Sequence, residues 1–134
     1  MELGELPVQG RIVIQCHDFP DADTIASGFA LFCYFTEKKR DVRLVYGGQK
    51  EITKPNLLLM LRLLEIPLDY TTQPPRCDIL ITVDCQYGES NVTRFPAAQR
   101  VAIDHHCRGK GESEFEEIRP ALGSCATLVW DLLC

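Results

Sequence analysis

Positive charge is scarce in this sequence: 14 lysines and arginines stand against 19 aspartates and glutamates, a formal net charge of −5. A broad grip on duplex nucleic acid needs many phosphate-neutralising cations, so this balance argues against a long duplex as partner. It leaves room for a mononucleotide or short oligonucleotide held through a bound cation, which dominates its own local field. Long apolar runs are also missing. The greasiest stretch, NLLLMLRLLEI (56–66), is broken by Arg62 and is too short to span a bilayer, so no membrane partner is expected. The opening MELGELPVQGR is acidic and has no apolar centre, and it does not read as a secretory signal. Cysteines at paired spacing are absent. The seven, at 16, 33, 77, 85, 107, 125 and 134, are odd in number and include no C-x-x-C. Several lie in apolar runs such as LFCYF and VDCQY, where a thiol behaves as a small hydrophobe. A disulfide framework is therefore not expected, and a reducing cytoplasm is the expected location. There is no G-x-G-x-x-G, which removes the dinucleotide fingerprint, and no internal repeat or low-complexity segment.

What remains is a globular composition, 46% hydrophobic and 25% charged over 134 residues. That length suits one domain with one core. Apolar β-branched runs read as buried strands at RIVIQ (11–15), DVRLVYGG (41–48), DILITVD (78–84) and RVAID (100–104), with a short strand at PLDYTT (67–72) and another near Glu117-Ile118. Between them the period becomes helical. Residues 21–39 place Ile25, Phe29 and Phe32 on one face, with Asp21 and Asp23 at the start and Lys38, Lys39 and Arg40 at the end, a polarity that suits the helix dipole. TKPNLLLMLRLLEI (53–66) reads as a helix with Thr53 as N-cap and Pro55 in the first turn, and GSCATLVWDLLC (123–134) as one capped by Ser124. PAA (96–98) suggests one helical turn. Strands apolar throughout, alternating with amphipathic helices, predict a doubly wound α/β domain: a mainly parallel, Rossmann-like sheet with helices on both faces.

Three of these strands run into ionisable clusters. RIVIQ leads to His17, Asp21 and Asp23; DILITV leads to Asp84; RVAI leads to Asp104-His105-His106. The chain has only three histidines, and all of them fall here. In a parallel sheet the carboxyl ends of the strands share one edge, and ligands bind in the crevice beside it. The topology thus gathers groups that are far apart in sequence. So many carboxylates and imidazoles in one crevice would repel or titrate away without a compensating cation. Oxygen ligands mixed with neutral imidazole suit Mn²⁺, Mg²⁺ or Fe²⁺, and the lack of thiolate spacing disfavours structural zinc. A carboxylate shared by two ions would set them about 3.5–4 Å apart, the arrangement used for in-line phosphoryl chemistry. The start of the 21–39 helix adds partial positive charge for a phosphate.

The segments HDFPDAD (17–23), VDC (83–85) and DHH (104–106) occur in this order. With them the chain resembles the N-terminal catalytic domain of the DHH phosphoesterase family over residues 10–134. Its members include RecJ-type exonucleases, oligoribonucleases that also dephosphorylate 3′,5′-bisphosphorylated adenosine, cyclic-dinucleotide phosphodiesterases and family II pyrophosphatases. The resemblance implies that His17 and Asp21 bind one metal, that Asp23 and His105 bind a second, and that Asp84 bridges the two and helps hold a nucleophilic hydroxide. It implies that His106 meets the substrate phosphate and assists the leaving oxygen, and that Asp104 orients a neighbouring imidazole. The implied cofactor is a pair of Mn²⁺ ions, with Mg²⁺ or Fe²⁺ as alternatives. The implied enzyme is a metal-dependent phosphoesterase acting on short oligonucleotides, dinucleotides or bisphosphorylated nucleosides, with a homodimer as a candidate assembly. A pyrophosphatase or polyphosphatase of the same family is the alternative enzyme. A non-catalytic nucleotide-binding regulatory module is the alternative of another class.

The chain departs from the family pattern at Ala22, where Gly is common, and at DTIAS (23–27), where DAIGS is common. The family's second metal usually takes a further Asp well beyond DHH, and a substrate-binding domain follows. The expectation is therefore a single DHH domain, residues 1–134, as a fragment of a longer protein and inactive in isolation. Elsewhere the plainer readings are expected. Asp18 and the ESEFEE run (112–117) are solvated, Gly47-Gly48 form a tight turn, Trp130 packs in the core, and Cys16 and Cys107 do not make a zinc site with the histidines.

Overall fold

The computed structural model describes residues 2–6 and 9–134. After a short 3₁₀ turn at Leu3–Glu5, the chain runs through β1 (Ile12–Cys16), α1 (Ala22–Glu37), β2 (Val42–Tyr46), α2 (Pro55–Leu63), β3 (Leu68–Tyr70), β4 (Ile79–Val83), β5 (Gln99–Asp104), β6 (Phe115–Ile118) and α3 (Cys125–Leu133). The strands form one six-stranded sheet in the order β3-β2-β1-β4-β5-β6. Every pairing is parallel. This is the doubly wound order, in which the chain leaves the central strand in one direction and later resumes on its other side.

The register decides where the site falls. Cys16 lies opposite Val83, and Val83 opposite Ile103. The next residues on these three neighbouring strands, His17, Asp84 and Asp104, therefore emerge at one level of the sheet edge.

The alternation of β1 sorts the core into two layers. Ile12, Ile14 and Cys16 join Ile79, Ile81, Val83, Val101 and Ile103 beneath Ile25, Leu31 and Phe35 of α1, Leu57 of α2, and Cys125, Leu128 and Val129 of α3. Val13, Val45 and Leu80 face the other way. Both faces are covered, as a doubly wound sheet requires, but the buried residues of all three helices lie on the first face. The second is closed by the β4–β5 connection through Tyr87 and Phe95. No helical turn forms at 96–98. The segment is instead pinned by side chains: Tyr87 Oη donates to the Phe95 carbonyl at 3.0 Å, and Gln15 Nε2 to the Thr93 carbonyl at 2.8 Å.

Other details differ from the sequence reading. The sheet-facing side of α1 is Thr24, Ile25, Ser27, Gly28, Leu31 and Phe35, so Phe29 and Phe32 are only partly buried. The helix stops at Glu37 because Lys39 turns left-handed, with φ 60°. α2 starts one residue later than a Thr53 cap requires, with Lys54 at the N-cap and no capping side chain. Trp130 is 69% exposed rather than packed in the core. It follows Leu128 and Val129 on α3, and a step of about 100° per residue carries it off their buried stripe. The end of the acidic run is not solvated loop, since Phe115–Ile118 pairs with β5. Asp18 is not free in solvent either. Its Oδ1 accepts from Thr93 Oγ1 at 2.8 Å and from Thr93 N at 3.3 Å, tying the turn after β1 to the β4–β5 connection. Among the described residues no helix is long and apolar enough to cross a membrane.

Phe95 is almost fully enclosed. Phe95→Ala is expected to cost about 3–5 kcal/mol of stability, read as a lower urea midpoint at unchanged slope. A loss below about 1 kcal/mol, the range of surface substitutions, would show that the connection is not part of the core.

Candidate metal centre

The centre is assembled by three turns at the carboxyl edge of β1, β4 and β5. After β1, His17 places its Nδ1 2.8 Å from the carbonyl oxygen of Asp18. A carbonyl only accepts, so in the neutral ring the proton sits on Nδ1 and Nε2 keeps its lone pair. Nε2 lies 3.6 Å from Asp21 Oδ1 and 3.7 Å from Asp84 Oδ2. Asp21 is held in place because it is the N-cap of α1, where Oδ1 accepts from Thr24 N at 3.0 Å.

His105, after β5, repeats the arrangement. Its Nδ1 faces the carbonyl oxygen of Leu122 at 3.2 Å. Its Nε2 lies 3.0 Å from Asp84 Oδ1 and 3.6 Å from Asp23 Oδ2. The two oxygens of Asp84 therefore face different histidines. Asp84 is only 3% exposed, and its Oδ1 is buried with no hydrogen-bond donor. The nitrogen 3.0 Å away has its ring proton committed on the opposite side. Two lone pairs pointing at one another in a buried position are explained by a cation between them. Asp84 also adopts φ 61°, a left-handed conformation that Asp tolerates better than most residues and that clusters at functional sites.

Asp23 reaches the site from the first turn of α1 and is clasped by another element. Its Oδ2 accepts from Cys125 N at 3.0 Å and its Oδ1 from Ala126 N at 2.9 Å. These are among the first amides of α3, whose positive end favours a carboxylate. Asp104 is buried and takes three donors: His105 N at 2.8 Å and His106 Nδ1 at 2.7 Å on Oδ1, and Gln86 Nε2 at 2.8 Å on Oδ2. It fixes the ring of His106, whose side chain is 60% exposed toward the crevice. Gln86 was not apparent from the sequence. It also donates to the Cys107 carbonyl at 3.0 Å and accepts from Gly109 N at 2.7 Å, holding the loop after DHH. No periodicity marks a lone Gln in a loop.

Electrostatics follow from this crowding. Burial raises the Asp84 carboxyl above its ordinary range, and the charges of Asp23 and Asp21 add to the rise, while His17 opposes it. For His17, burial alone would lower the pKa. The nearby Asp84 carboxylate, the Asp18 carbonyl and the charge of Asp21 outweigh burial and push it up to about 9. Without a metal, a proton on His17 supplies the missing positive charge. Cys16 is no ligand. Its thiol faces the Thr24 carbonyl at 3.4 Å in the core, and burial pushes its pKa up to about 12. Asp84, Asp104, His105 and His106 form one group that could hold a metal, and His17, Asp21 and Asp84 a second.

A family profile described as the DHH family, N-terminal domain, matches residues 11–134. The chain belongs to the DHH family. DHH phosphoesterases are metal-dependent, and the donors described above suit that chemistry. Among solved structures, an exopolyphosphatase-related protein from Bacteroides fragilis shares the fold, with a TM-score of 0.63 and 19% sequence identity over 92% of this chain. The match takes in 39% of that protein, so this DHH chain spans well under half of its length. A search of curated proteins finds no match.

A metal ligand must be neutral imidazole, so a cation at His17 competes with the proton. Below about 9, the shifted pKa of His17, apparent Mn²⁺ affinity is expected to rise by up to about tenfold per pH unit and to level off above it, with proton release on binding. Titration calorimetry in buffers of different ionisation enthalpy checks this. In the metal-free chain the sign is opposite: the stabilisation from protonated His17 is complete below about 6.5 and lost as pH rises through about 9.

Proposed function

We propose that this domain, within the full-length protein, holds two divalent ions, Mn²⁺ in the first instance with Mg²⁺ or Fe²⁺ as alternatives, and that the full-length protein hydrolyses phosphate esters at the carboxyl edge of its sheet. His17 and Asp21 would hold one ion, Asp23 and His105 the other, and Asp84 both. The observation that carries the reading is Asp84, with one oxygen toward each carbonyl-locked histidine and no donor on the buried Oδ1. The ions would supply positive charge to the phosphoryl oxygens and lower the pKa of an attacking water.

The chain's own residues do the rest. Asp21 and Asp23, fixed by the backbone amides of α1 and α3, need no rearrangement to offer their remaining lone pairs. Asp104 keeps the Nδ1 proton of His106 engaged, which leaves the exposed Nε2 edge to meet the phosphate or give a proton to the leaving oxygen. The acidic net charge favours small substrates: short oligonucleotides, dinucleotides or bisphosphorylated nucleosides. A second reading, hydrolysis of pyrophosphate or polyphosphate, takes support from the exopolyphosphatase-related neighbour.

The test is Mn²⁺-dependent hydrolysis by the full-length protein, with a dinucleotide, a 3′,5′-bisphosphorylated nucleoside and pyrophosphate compared side by side. Turnover of the first two above the third supports the proposal, and the reverse order supports the second reading. Metal binding with no turnover of any of them would indicate a regulatory nucleotide-binding module. Asp84→Ala is expected to lower kcat by about a thousandfold or more, as loss of a main electrostatic element does. Near-normal turnover would contradict the shared-carboxylate assignment.

A further inference from the structure

A second cavity opens beside the metal centre, between the turns that follow β1 and β2. Its volume is about 180 Å³, and Phe19, Pro20, Ile52 and Leu57 line it together with Lys50 and Lys54. Whole small-molecule sites occupy about 300–1,000 Å³, so this space suits one portion of a ligand. Phe19 stands two residues from both His17 and Asp21, at the junction of cavity and metal centre. It is 64% exposed and has φ 52°. An aromatic residue held in the left-handed region and turned to solvent is unfavourable on both counts, and such strain collects at ligand clamps.

The opposite wall is built to stay in place. Tyr70 Oη donates to the Gly48 carbonyl at 2.7 Å, and Ile52 N donates to Tyr46 Oη at 2.9 Å. Gly48, with φ 98°, lets this loop approach Asp18 so closely that a Cβ would come within 2.9 Å of that side chain. Lys50 and Lys54 are exposed and, among the described residues, enter no ion pair. No side chain caps α2 beside them, so the positive end of that helix adds to their field. Glu51 is the one carboxylate on the rim, and its acceptor oxygens suit the exocyclic amino group of a base.

We propose that this cavity is a nucleoside subsite: a base stacks on Phe19, and a phosphate other than the scissile one is held by Lys50 and Lys54. An inorganic polyphosphate would leave Phe19 without a partner. This assignment rests on the phosphoesterase reading of the neighbouring edge, but its test does not use turnover.

Binding of adenosine 5′-monophosphate and of ribose 5-phosphate to the metal-free full-length protein is measured by calorimetry in EDTA. The nucleotide is expected to bind about tenfold more tightly than the sugar phosphate, the scale of one base–aromatic stack. Phe19→Ala removes that difference and Phe19→Trp keeps it. Lys50→Ala with Lys54→Ala weakens both ligands and flattens the salt dependence. Equal binding of the two ligands by the wild type, or an undiminished preference in Phe19→Ala, would overturn the subsite. Failure of the phosphoesterase reading would show separately, as no Mn²⁺-dependent hydrolysis by a protein that still prefers the nucleotide.

Discussion

The Asp84 carboxylate lies between two imidazoles whose Nδ1 atoms both face backbone carbonyls. Each ring in its neutral form presents a lone pair to an oxygen that has lone pairs of its own. In water such an arrangement would relax by rotation. Here the strand register, the buried floor and the two carbonyls prevent it, so the repulsion can be relieved only by a positive charge, either a proton or a metal ion. Burial raises the cost of leaving the carboxylate uncompensated. The raised affinity of His17 for a proton and the proposed affinity for divalent ions are two responses to the same field.

The rest of the fold serves this placement. Parallel pairing sets His17, Asp84 and Asp104 at one level. α1 delivers two carboxylates, Asp21 from its N-cap and Asp23 from its first turn, and its packing against the sheet holds both. α3 contributes no side chain to the centre. It contributes backbone amides, which clasp Asp23 from more than 100 residues away in sequence. A change that shifts α3 would therefore disturb Asp23, a proposed metal ligand, without touching it. The β4–β5 connection has a comparable indirect role, since Thr93 anchors Asp18, the residue whose carbonyl sets the tautomer of His17.

The central strands β1, β2 and β4 were legible because each is apolar for most of its length. The ligand candidates were legible because ionisable residues stop those runs abruptly, and parallel topology brings such stops together. Three things were not legible, each for a physical reason. The cover of the second face depends on Phe95 and Tyr87, aromatics in a connection without period. The clasp on Asp23 and the Gln86 bond to Asp104 join segments distant in sequence, and a backbone amide or a lone Gln leaves no pattern. Trp130 was expected in the core from its apolar bulk alone, whereas helical phase set it outside. The cavity beside Phe19 belongs with these, because Phe19 is an ordinary residue in sequence and unusual only in its backbone angle and exposure.

The most direct measurement is Mn²⁺ loading of the full-length protein followed by electron paramagnetic resonance. A carboxylate shared by two ions about 3.5–4 Å apart couples their spins, so the account predicts two ions per chain and an exchange-coupled spectrum that Asp84→Ala abolishes. A single ion per chain, or two ions with the spectrum of isolated Mn²⁺ in the wild type, would contradict it.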